Sequence, residues 1–79
     1  MSNGELMNGR IRVVENIGSY SEEAFGLDGA VLTIIDGVLE DIEGFPWSGN
    51  CSGFKDIDHV NDYFATADEY QTVFELVED

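Results

Sequence analysis

Positive charge is what this chain has least of. Arg10, Arg12 and Lys55 are its only basic residues against 17 Asp and Glu, and the formal net charge is −14. Free nucleic acid and anionic membranes are themselves polyanions, so both are excluded as direct partners. Cysteine is almost missing: Cys51 stands alone, which rules out an intrachain disulfide and a multi-cysteine metal site. Asn50-Cys51-Ser52 has the form of a glycosylation sequon, yet the opening MSNGELMNGR has neither a basic start nor an apolar core and does not read as a signal peptide. No apolar run approaches the ~20 residues that span a bilayer. These absences predict a reducing, cytoplasmic setting. The nine Gly are scattered singly, so no glycine loop cradles a phosphate.

What is present is enough for a small core. Hydrophobic residues make up 43% of the 79, with five Phe, three Tyr and one Trp, far more than a disordered acidic tail carries. The length predicts a single domain, 1–79, with a thin stability margin. Residues 1–9, broken by Asn-Gly and Gly, are expected to fray.

Residues 10–17 alternate as a strand, with Ile11, Val13 and Glu15 on one face. Ser19 or Ser21 can cap a short helical turn holding Glu22, Glu23 and Phe25. The segment 30–43 fits two patterns. Val31, Ile34, Ile35, Val38, Leu39 and Ile42 form a helical stripe, but Asp36-Gly37 is a favoured two-residue hairpin turn and Gly37 weakens a helix. The hairpin, 30–35 with 38–43, is the better fit. Residues 44–53 form a loop with the single Pro46 and Trp47. Asp56 caps a helix to about Phe64, with Ile57, Val60 and Phe64 facing the core. At the C-terminus Thr66-Ala67-Asp68-Glu69 has the form of a capping box, and Tyr70, Val73, Phe74 and Val77 follow at helical spacing. Strand alternation over Tyr70, Thr72, Phe74 and Leu76 competes, and Glu78 and Asp79 oppose a helix dipole. The helix is favoured over 67–79. The expected fold is α+β: a small antiparallel sheet of about three strands with one or two acidic helices.

Candidate chemistry is sparse. Asp56, Asp58, His59 and Asp62 lie close enough on a helix for a cation site or a His-Asp pair, but they also make an ordinary solvated face near a helix N-terminus. Cys51 and His59 are the sole Cys/His combination, and the surrounding acids disfavour a thiolate. Adjacent carboxylates such as Glu40 and Asp41 arise by chance at this acid content. No cofactor, metal or catalytic centre is expected, and the chain does not read as an enzyme. Phe45-Pro46-Trp47 is an apolar knot: Trp47 is either a binding anchor or a plug folded onto the core.

The acid distribution carries the functional reading. Residues 13–54 hold eight acids and no Lys or Arg, and 56–79 hold eight more, again with no Lys or Arg. Fourteen net charges equal those on about 24 Å of duplex at one per ~1.7 Å, within a domain roughly 30 Å across. In size, acidity and lack of a cofactor motif the chain resembles small phage-encoded inhibitors of host defence and DNA repair, among them anti-CRISPR proteins, antirestriction proteins and uracil-DNA glycosylase inhibitors. That resemblance implies a stoichiometric inhibitor, monomeric or homodimeric, acting in a host bacterial cytoplasm. Its partner would be a basic nucleic-acid-binding protein, with a CRISPR effector complex one form. The expected partner-binding residues are Glu40, Asp41, Glu43, Asp58, Asp62, Asp68, Glu69 and Glu75, with Trp47 as anchor. Two other readings remain: an acidic regulator of a basic protein without mimicry, and a halophile-type protein whose charge is generic.

Overall fold

The computed structural model describes residues 6–47 and 53–77. They form β1 Gly9–Asn16, α1 Ser21–Phe25, β2 Val31–Ile35, β3 Val38–Leu39, α2 Ile57–Ala65 and β4 Thr72–Val77, with a 3₁₀ turn over Asp68–Tyr70. The strands make one antiparallel sheet in the order β3-β2-β1-β4. The class is α+β. The fourth strand takes the place of the C-terminal helix favoured by the capping pattern.

The hairpin forms where Asp36-Gly37 places it. Both residues have left-handed φ, 50° and 80°, the combination whose twist matches that of flanking strands. β3 is shorter than the expected 38–43: Glu40 still donates its N–H to Thr33 O at 2.9 Å but also bridges to Pro46, and Asp41 N–H turns back to Phe45 O at 2.8 Å. Asp56 caps α2 as its side chain predicts, accepting from His59 N–H at 2.8 Å, a contact that contributes about 1 kcal/mol.

Thr66 ends a helix instead of beginning one. Its N–H and its Oγ1 both return to Tyr63 O. The chain then makes the 3₁₀ turn and enters β4, where Thr72 and Phe74 point inward and Val73 and Glu75 outward. Pairing with β1 decides this, because it satisfies the second side of that strand's backbone. Thr72, Val73, Phe74 and Val77 are also strand formers. β1 itself departs from simple alternation. Ile11 and Val13 are buried, but an irregularity between Val13 and Glu15 shifts the phase and sets Glu15, exposed, opposite Val73.

Of the stretch 1–9 expected to fray, residues 1–5 lie outside the described residues, and Met7 is anchored. Met7 is buried, and its N–H donates to Phe54 O while its carbonyl accepts from Gly37 N–H. The core fills the space between α1, α2 and the inner face of the sheet. Phe25 is its centre, with ring centroids 5.2 Å from Phe64, 5.5 Å from Phe74 and 5.3 Å from Trp47.

Both sheet edges are covered in part. Trp47 N–H donates to Leu39 O on β3, and Pro46 has no N–H to offer a further strand. On β4, the Asn61 side chain of α2 imitates a strand neighbour: Nδ2 donates to Phe74 O and Oδ1 accepts from Phe74 N–H, each at 2.9 Å. Asn61→Ala removes both bonds. It is expected to cost about 1–3 kcal/mol and to promote self-association through the bared edge, read by urea melts and light scattering. An unchanged melt with a monodisperse protein would show that water serves this edge equally well.

Candidate functional site

The sheet sorts the charge. β1 ends at Asn16 beside Thr72, the first residue of β4, while β2 begins and β3 ends at the same side. Three segments distant in sequence therefore converge at one end of the sheet: 17–30, 40–47 and 66–71. Together they carry Glu22, Glu23, Asp28, Glu40, Asp41, Glu43, Asp68 and Glu69, and no Lys or Arg. Backbone bonds fix their arrangement. Tyr20 N–H donates to Glu69 O, and Ile42 N–H donates to Ala24 O, each at 2.8 Å, so α1 lies between the 3₁₀ turn and the 41–45 turn. A Cβ on Gly18 would lie 2.3 Å from Glu69 O, and only glycine allows so close a crossing.

The three basic residues lie elsewhere. Arg10 and Arg12 are in the first half of β1, opposite Val77 and Glu75, and Lys55 follows Phe54, which is bonded to Met7 and Gly37 at the far end. All three cations thus share the rest of the chain with the nine other acids, and the eight acids of this end have no Lys or Arg among them.

Each expected site residue has a definite place. Glu43, Asp68 and Glu69 are exposed on the acidic end, while Glu40 and Asp41 are half-buried there. Asp41 has a structural task, its Oδ1 accepting from the N–H groups of Glu43 and Phe45. Asp58 and Asp62 are exposed one turn apart on α2 and form a separate acidic patch. Glu75 stands apart on the outer face of the sheet, where it accepts from Arg12 Nη1 at 2.6 Å. Trp47 is half-buried, its ring 4.9 Å from Tyr70 and 5.8 Å from Phe64. In the same knot it is Phe45 that stands free, 63% exposed. Glu22 and Glu23, absent from the sequence-based candidates, occupy the centre of the acidic end. Their signal was a helical turn beginning at Ser21, but its neighbours follow only from the strand order.

Two members of the α2 cluster have local partners. Asp56 is engaged as the α2 cap, and His59 Nδ1 accepts from Lys55 N–H at 3.1 Å. Cys51 lies outside the described residues. Among those described, no three His, Cys, Asp or Glu converge to hold a metal ion, and no helix is long and apolar enough to cross a membrane. An open groove of about 340 Å³ runs between α2 and β4, with Asp62 the one acid on its wall beside Asn61 and Gln71.

No family model, curated protein or solved structure matches this chain. Its function must be read from its own surface. That surface has a direct physical consequence: three cations cannot neutralise 17 acids, so self-repulsion works against the fold. Raising NaCl from about 0.01 M to about 1 M shortens the screening length from ~30 Å to ~3 Å. The melting temperature is expected to rise across that range. A fall would mean that attractive pairs, Arg12–Glu75 foremost, outweigh the repulsion.

Proposed function

We propose that this protein is a stoichiometric inhibitor that occupies a basic, nucleic-acid-binding groove of another protein and acts without catalysis. The observation that carries this reading is the convergence of eight acids and no Lys or Arg at one end of the sheet. The body is 39 Å along its longest axis. A duplex carries one charge per ~1.7 Å, so 14 net charges over that length exceed half the linear density of DNA. A groove built for nucleic acid would attract such a body by the same field that recruits its own substrate. The resemblance in size and composition to phage-encoded inhibitors points to host defence or DNA repair proteins, CRISPR effectors included, met in the host cytoplasm.

A generic, halophile-type surface would intersperse its few cations among its acids, and a cluster of eight acids with no Lys or Arg argues against it. The test is competition. Immobilised protein is expected to retain purified nucleic-acid-binding proteins that duplex DNA then releases, and to give no gel shift with DNA itself. Direct DNA binding, or retention that excess DNA leaves untouched, would overturn the proposal.

A further inference from the structure

The acidic end is not purely acidic. Leu27 and Phe45 are the two most exposed large hydrophobic residues among those described, at 65% and 63%, and Ile42 is 45% exposed. All three belong to the connections that converge there. Scattered single hydrophobes on a surface need no explanation, whereas contiguous ones do. Ile42 brings the two connections together: its Cδ1 would lie 3.0 Å from a Cβ on Gly26, the residue that precedes Leu27 in the chain. Gly26, at φ 89°, permits that approach. Phe45 is held in place as well, since its N–H donates to Asp41 Oδ1 at 3.0 Å and its carbonyl accepts from Asp41 N–H. Phe45 and Ile42 therefore sit on a fixed turn that also carries Glu43, and Leu27 immediately precedes Asp28 in the chain.

We propose that Leu27, Ile42 and Phe45 form a docking face whose occupant is a protein surface bearing an apolar socket rimmed by Lys and Arg. The inference rests on the groove-occupying reading and sharpens it: recognition combines charge with side-chain insertion, and a phosphate track alone does not account for it. Charge complementarity selects the occupant. A second copy of this chain would bring two acidic ends together, and an anionic membrane would be repelled. A cationic rim attracts the carboxylates while the socket takes the exposed side chains, the arrangement of polar rim around apolar centre found in protein interfaces. Insertion also explains why these residues remain on the surface of a chain with a small core.

Two synthetic peptides with equal numbers of Lys test this, one carrying Leu and Phe between the lysines and the other Ser. Binding to the whole protein is measured by fluorescence anisotropy at physiological salt and again at low salt. The Leu/Phe peptide is expected to bind at least about tenfold tighter, a difference worth ~1.4 kcal/mol. The double variant Leu27→Ser/Phe45→Ser should erase that difference and leave the Lys/Ser peptide unaffected. Both sites are exposed, and circular dichroism checks that the fold persists. Equal binding of the two peptides to the wild type would overturn the docking face while leaving the groove reading intact. Failure of both peptides at low salt would overturn the groove reading itself. A wild-type dimer dissolved by the double variant would also overturn the inference, assigning the patch to self-association.

Discussion

Phe25→Ala is expected to unfold much of the protein, while Phe45→Ala leaves its stability nearly unchanged. Phe25 is fully buried and forms edge-to-face pairs with Phe64, Phe74 and Tyr70, their centroids 5.2, 5.5 and 6.4 Å away. It stands on a helix of five residues, too short to hold its shape without that packing. Truncating a buried Phe to Ala costs about 3–5 kcal/mol. A domain of this size has a total stability of roughly 4–12 kcal/mol at 0.05–0.15 kcal/mol per residue. The loss therefore consumes a large share of the margin, and the melting temperature should fall by about 4–8 °C per kcal/mol. Because α1 carries Glu22 and Glu23 between the two flanking turns, the same change would disperse the acidic end. Urea denaturation followed by near-ultraviolet circular dichroism measures the effect. A loss below about 1 kcal/mol, within the range of ordinary surface and boundary substitutions, would show that Phe25 is not the centre of the core.

The hairpin and α2 were legible because their signals are local. Asp36-Gly37 specifies a turn from two residues, and Asp56 specifies a cap from one side chain. β4 was not legible, because its evidence is split. Thr66-Ala67-Asp68-Glu69 satisfies the form of a capping box, and Val73, Phe74 and Val77 suit a helix stripe and a strand alike. What settles the matter is the unpaired side of β1, more than fifty residues earlier in the chain, which no local window contains. The alternation over Tyr70, Thr72, Phe74 and Leu76, and the terminal Glu78 and Asp79, unfavourable at a helix C-terminus, pointed toward the outcome. Glu15 was misplaced for a similar reason: a bulge depends on the partner strand and leaves no mark in the alternation of its own. The acidic end followed the same rule. Its acids are visible in the sequence as a regional excess, but their convergence needs the strand order, and so the sequence places Glu22 and Glu23 on a helical turn without marking them as partner-binding, while it marks Glu75. Glu75 reads as one more acid until β4 is paired with β1 and Arg12 is set opposite it.

Reversal of Glu22 and Glu23 to Lys is expected to weaken the complex with a DNA-releasable partner by at least about 100-fold, since close charge pairs across an interface contribute ~1.5 kcal/mol or more each. Both side chains are exposed, and neither holds a turn or caps a helix in the described contacts, so the fold should persist. The pair Glu40 and Asp41 is less suitable despite its adjacency, because Asp41 fastens the turn that carries Phe45, and its loss would confuse structure with recognition. Asp68 is unsuitable as well, its φ of 54° being tolerated by Asp more readily than by Lys. The informative comparison is Asp58→Lys/Asp62→Lys on α2, an identical change of net charge at exposed positions outside the three converging connections. If only overall charge matters, as a generic acidic surface requires, the two double variants should lose affinity equally and modestly. If the partner reads the acidic end, the α1 variant should lose far more, chiefly through faster dissociation, since close contacts govern the off-rate. Surface plasmon resonance separates the two rates, and circular dichroism confirms folding of each variant. Equal losses from both variants would assign binding to net charge and remove the acidic end from the mechanism, whereas a larger loss from the α2 variant would move the interface to the helix face.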